Sequence, residues 1–151
     1  MYRPRRVFPA SRRILYKAAC WAQTSSPKDM KTDRLLQQAI SHLKSLISTE
    51  KDNGIFLHSP TNDIEECCSQ SALECFRKEL TSTTHKTSKK LKMKLARNLG
   101  KPSIMNSLNT CSETEIKKVQ CMTCDSYPKV NSSQFLVNLQ SRLQKAFSSR
   151  P

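Results

Sequence analysis

The sequence predicts an all-α fold: a four-helix bundle, up-up-down-down with two long crossover links, stapled by disulfides. Three observations predict it. Apolar residues recur at helical spacing in four separate stretches of the chain. Only two glycines, Gly54 and Gly100, occur in 151 residues, whereas β-sandwiches and Rossmann-type loops use glycine freely at their turns. Six of the seven cysteines gather in two groups, one on a helical stretch and one in the long link before the last helix.

The N-terminal residues 1–27 are set apart from the fold, leaving one domain over 28–151. Residues 1–28 carry seven basic side chains and no acidic one. A secretory leader needs an apolar core of about 7–15 residues, and Lys17 interrupts the one candidate, Ile14 to Ala22. The segment admits three readings: a wrongly assigned start, an unconventional leader, or a disordered basic arm.

Helix one is expected over Asp29 to Glu50. Leu36, Ile40, Leu43 and Ile47 recur at steps of three and four, flanked by Leu35, Ala39 and Leu46. Asp29 and Asp33 suit the positive end of the helix dipole, and Asp52-Asn53-Gly54 suits its stop. Gly54 to Asn62 reads as a long connection. Helix two is expected over Asp63 to Leu80, with Ala72, Phe76 and Leu80 as a ladder beside Leu73. After a break at Thr81 to Thr84, helix three runs from Lys86 to Leu99. Its apolar stripe is thin (Leu91, Leu95, Leu99) and lies beside Lys86, Lys90 and Lys94. Gly100-Lys101-Pro102 ends it. Ser103 to Val130 shows no clear period and reads as a long polar link. Helix four is expected over Asn131 to Ser149, buried through Phe135 or Leu136, Leu139, Leu143 and Ala146 or Phe147. Asn131 stands three before Gln134, as a capping box would have it. One short link between two long ones is the pattern that two overhand crossings require.

Apolar residues are 36% of the chain, below the usual ~45–50%, so covalent links gain importance. The net charge is +14. Between Arg77 and Lys101, Glu79 is the only acid among nine basic residues. Such a surface attracts an anionic partner: an acidic receptor face, a sulfated glycan or nucleic acid. No run reaches the ~20 apolar residues of a membrane span.

The cysteines constrain the chemistry. Zinc holds its thiolates at ~2.3 Å, yet Cys68 and Cys75 lie seven apart on an expected helix, a rise of roughly 10 Å. Cys121 and Cys124, if extended, span about the same distance at ~3.3 Å per residue. The match favours a two-rung disulfide ladder, Cys68 with Cys121 and Cys75 with Cys124, over a zinc knuckle or a redox Cys-x-x-Cys. Spacing alone leaves the connectivity open, since six cysteines allow 15 pairings. Cys67 and Cys111 remain for a third bridge. Cys20 is the odd one, within the leader.

These residues resemble a known family. Cys68-Ser-Gln-Ser-Ala-Leu-Glu-Cys75-Phe76 is similar to the second-helix signature of the interleukin-2/15/21 cytokines. Cys121-Met-Thr-Cys124-Asp125-Ser126-Tyr127 resembles the Cys-x-x-Cys-Asp-Ser-Tyr of the interleukin-21 branch. Gln134-Phe135-Leu136 and Leu143-Gln144-Lys145 continue the likeness, and Lys89 to Lys94 is similar to that branch's basic third helix. The resemblance covers residues 30–149. It implies a secreted, monomeric cytokine without a cofactor, the ladder pairing above, and two receptor chains. One chain is private to the cytokine and the other is the common gamma chain, with Janus-kinase signalling in lymphocytes as the output. Carried over by position, the private site comprises Arg34, Gln38, Lys89, Lys90, Lys92 and Lys94, and the gamma-chain site comprises Gln144 and Phe147. The chain departs from the pattern in its Cys67/Cys111 pair, in the aromatic Phe147 and in the leader.

Asn131-Ser132-Ser133 is an N-glycosylation sequon. Catalysis is not expected: His42, His58 and His85 have no acid partner in a motif, and no phosphate loop or nucleophile elbow is present. His42 is expected to face solvent. A nucleic-acid-binding protein is the rival from another class. It would account for the charge, but aromatics are 6%, no RNA-binding signature occurs and the paired cysteine groups go unexplained.

Overall fold

A computed structural model of the chain describes residues 27–49, 54–82 and 89–149. The leader, Cys20, His85, the stop at Asp52-Asn53 and the expected start of helix three at Lys86 lie outside the described residues. The chain divides into two units, Met1–Lys31 and Thr32–Pro151. Of the first, only the opening residues of a helix are described; the second carries the core.

The protein is mostly helical. Helix α1 spans Pro27–Thr49, opening on a proline whose missing N–H has no partner to lose in a first turn. Its fully buried seam is Leu36, Ala39, Leu43 and Leu46, with Ile40 and Ile47 only partly covered. The expected stripe is therefore rotated toward the residues that had been read as its flank. A short 3-10 turn, Glu66–Cys68, leads into α2, Ser69–Ser82, so the helical start falls later than Asp63. Ala72, Leu73, Phe76 and Leu80 are buried as expected. Helix α3 spans Lys89–Leu99 and α6 spans Ser132–Ser148.

One core joins these four helices. Phe76 of α2 meets Phe135 of α6 with ring centroids 5.4 Å apart, a tilted pairing that suits the ring quadrupoles. Leu95 and Leu99 of α3 and Leu139 and Leu143 of α6 complete the interior with the α1 seam.

The two long links are more structured than the sequence suggested. Phe56–His58 (β1) and Lys129–Asn131 (β2) pair antiparallel, with Leu57 opposite Val130. Three-residue strands carry too little alternation to be read in advance. The first link is pinned further along: Ser59 N–H donates to the Pro128 carbonyl at 2.9 Å, and Asn138 Nδ2 donates to Ser59 Oγ at 2.8 Å. Within Ser103 to Val130, α4 (Pro102–Ser107) contributes Ile104 to the core. Helix α5 (Glu113–Lys118) opens with a capping box, in which Ser112 Oγ accepts from Glu115 N–H and Glu115 accepts from Ser112 N–H. Between Leu108 and Tyr127 no residue is buried, which is why this stretch has no apolar period.

Helix α3 ends against α2. Arg77 Nε donates to the Ala96 carbonyl at 2.9 Å, satisfying a terminal acceptor of the helix with a cation. A β-carbon at Gly100 would stand 2.5 Å from Arg77 Nη2, so this glycine makes room for the guanidinium. Among the described residues, no helix is long and apolar enough to cross a membrane.

Candidate functional site

The six cysteines form three disulfides: Cys67–Cys111, Cys68–Cys121 and Cys75–Cys124. Their Cα separations are 5.4, 5.5 and 5.1 Å, inside the usual range. The ladder has the two rungs that the spacing favoured, one from the entry turn at Cys68 and one from Cys75 on α2, plus the third bridge. Glu115 stands beside the Cys67–Cys111 sulfurs, but sulfurs joined in a disulfide are not thiolate ligands, so the zinc and redox-motif alternatives fall away for these six residues. The segment from Asn109 to Ser126, which buries nothing, is thus tied to α2 and its entry turn by all three bridges.

Outward from this frame lie the helical faces. On α1, Arg34 and Gln38 are exposed. On α3, Lys89, Lys90 and Lys94 are exposed. Lys92 is not: it is 3% exposed, on the inner side with Leu95, Ala96 and Leu99. Helical periodicity explains this correction, since position 92 lies one turn before Ala96 on the covered face. Gln144 on α6 is exposed, while Phe147 is half-buried and packs against the core. Only its uncovered part is available to another molecule.

His42 is half-buried rather than solvent-facing. Burial, and then the nearby Lys94 ammonium, hold its pKa below the ordinary 6.5, and its Nδ1 is buried without a hydrogen-bond partner among the described residues. Lys94 of α3 is thus within electrostatic reach of His42 on α1. Arg34, Gln38 and His42 recur every four residues, so they share one face of α1.

A second polar group was not read from the sequence. Arg142 of α6 is 3% exposed, and its Nη2 donates to the Thr61 carbonyl at 3.2 Å. Burial pulls its pKa down, opposed by Glu66 and Tyr127. Burial pushes the Tyr127 phenol up, opposed by Arg142. Lys145 pairs with Glu66 beside them. His58 Nδ1 lies 2.8 Å from the Tyr127 carbonyl, and the His58 backbone N–H donates to Glu79 at 2.7 Å. These groups tie the first link to α6 and α2. An arginine among leucines on a helix signals only a polar position until the chain that covers it is known.

Asn131 caps α6: its Oδ1 accepts from Gln134 N–H at 2.8 Å. The reciprocal half of the box is absent, because Gln134 Nε2 donates to Asn138 Oδ1 instead. The cap uses Oδ1, whereas an N-linked glycan attaches through Nδ2, so the two roles are compatible.

Compared with known proteins, the chain matches no family model, no curated protein and no solved structure at a significant level.

Proposed function

We propose that this chain is a secreted helical cytokine of the interleukin-2/15/21 kind. In this reading its helices run up-up-down-down. It binds a private type I cytokine receptor through the outer faces of α1 and α3, and the common gamma chain through the C-terminal half of α6. The output is Janus-kinase signalling that regulates lymphocyte proliferation and immune response. The protein acts by binding alone.

One observation carries the proposal. The Cys-x-x-Cys-Asp-Ser-Tyr segment is bonded rung for rung to Cys75 of α2 and Cys68 of its entry turn, the combination on which the sequence resemblance rests. Three disulfides also suit an oxidising, exported setting. The exposed Arg34, Gln38, Lys89, Lys90 and Lys94 leave a basic surface on which an acidic receptor face gains association rate through steering. Lys92 is dropped from the private site. Gln144, with the uncovered edge of Phe147, stands for the gamma-chain site, and Asn131 is kept as a glycan acceptor.

The test is direct binding of the exported, oxidised protein to immobilised receptor ectodomains. The common gamma chain is expected to bind with the private chain present, and Gln144→Asp is expected to weaken it while the helical signal is kept. Undiminished gamma-chain affinity in that variant removes the α6 site. No binding to any chain of this receptor group removes the whole reading. Lys90→Glu with Lys94→Glu is expected to slow private-receptor association in a salt-dependent way, with dissociation little changed.

A further inference from the structure

We infer that the outer face of α3 and its continuation to Lys101 form a docking surface for a sulfated polysaccharide. From Leu80 to Ser112 the chain carries no Asp or Glu. Within that stretch α3 turns its residues into two faces. Lys92, Leu95, Ala96 and Leu99 are buried, while Lys89, Lys90, Met93, Lys94 and Arg97 are exposed. At ~100° per residue the exposed five fall within an arc of about 140°, and from Lys89 to Arg97 they cover a rise of about 12 Å. Lys101, also exposed, extends the line beyond the helix end.

Several of the acids gather around the disulfides. Asp63, Glu65 and Glu66 precede the first disulfide, Glu115 stands beside its sulfurs, and Asp125 follows the last cysteine. On α2, which packs against α3, Glu74 pairs with Arg77 and Glu79 accepts from the His58 N–H, so the exposed face of α3 itself is a narrow line of like charges. Lined-up cations repel one another until an anionic polymer lies along them.

The face itself selects among polyanions. Met93 is its one exposed apolar side chain, too little for the apolar wedge that an interfacial helix drives into a membrane. It presents no aromatic ring, so single-stranded nucleic acid finds no stacking platform. A sulfated polysaccharide asks only for regularly placed cations. This inference does not rest on the receptor reading, since Arg97 and Lys101 lie outside the proposed receptor residues.

The experiment uses the full chain on immobilised heparin, with desulfated heparin, duplex DNA and phosphatidylserine vesicles in parallel. Arg97→Glu with Lys101→Glu is compared with Lys117→Glu and Lys118→Glu on α5, which change the net charge equally. Arg97→Gln with Lys101→Gln serves if the first variant loses its helical signal. The expected result is retention by heparin above 0.15 M salt, roughly tenfold weaker after the 97/101 change and nearly unchanged after the 117/118 change, as expected for loss of local charge contacts. Equal losses from both pairs overturn the inference, because only net charge would then matter. Equal retention on desulfated heparin, or tighter holding by DNA or vesicles through the same residues, also overturns it. Heparin retention unchanged by the 97/101 change overturns the inference as well, whereas an unmutated chain that heparin retains but no receptor chain binds counts against the receptor reading alone.

Discussion

Replacing Cys67 and Cys111 together by serine isolates the contribution of one bridge. Taken alone, a cross-link between residues 44 apart restricts the unfolded chain by about 4 kcal/mol. Here the loop is already closed by its neighbour, because Cys68 is bonded to Cys121. The route from Cys67 to Cys111 then runs one residue to Cys68, across that bridge, and ten residues back. A loop of about a dozen residues corresponds to ~3 kcal/mol. The native side adds little, since nothing between Leu108 and Tyr127 is buried. The expected outcome is a loss of about 3 kcal/mol, near 10 °C in Tm, with the far-ultraviolet helical signal and the urea m-value almost unchanged. Non-reducing urea titration followed by circular dichroism measures all three. A loss of under ~1 kcal/mol, or a collapse of helicity, refutes the nested-loop argument: the first would mean strain offsets the entropy, the second that the bridge organises the core.

Further outcomes are expected at single sites. His42 holds a depressed pKa through burial and then Lys94, so as pH falls the unfolded chain takes up the proton first. Stability is full above pH ~6.5 and declines as pH drops toward the lower folded value, and His42→Gln flattens that slope in urea midpoints measured across pH 7.5 to 5. Gly100→Ala sets a methyl against the Arg77 guanidinium. It is expected to cost ~1 kcal/mol, and combination with Arg77→Ala in a double-mutant cycle is expected to cost less than the separate changes together. Arg142→Ala removes the donor to the Thr61 carbonyl and is expected to lower stability by ~2 kcal/mol. Hydrogen exchange of the 54–62 link should quicken in that variant, and unchanged protection there would show that the link is held without Arg142.

The sequence disclosed whatever obeys a long period. Helices α1, α2, α3 and α6 and most of their buried leucines follow from spacing alone, because a seam of Leu36, Leu43, Leu139 and Leu143 repeats over several turns. It failed where one residue decides between faces. Ile40 and Leu46 lie within the same apolar stripe, and only the packed core shows that Leu46 is the inner one. Lys92 read as one of a uniform lysine run until α3 was turned against α2. The link from Ser103 to Val130 looked structureless because α4 buries only Ile104, with Leu108 just beyond it, too few for a period, and the rest relies on a capping box and on disulfides. Ser112 and Glu115 did carry a legible capping signal there. Arg142 and His58 owe their roles to partners 81 and 69 residues away, a distance over which no local pattern operates.

Cys67 and Cys68 are chain neighbours that commit to different partners, Cys111 and Cys121. Exchanging those partners would alter each loop by a single residue, so chain statistics distinguish the two isomers by far less than 1 kcal/mol. Burial separates them: Cys68 is 4% exposed, whereas Cys67 is half-covered. The correct isomer is thus selected by how far the helical interior has closed when oxidation occurs. Material oxidised before that closure would emerge as a mixture of shuffled forms, and a thiol-exchange catalyst acting on the nearly assembled helices would sort them.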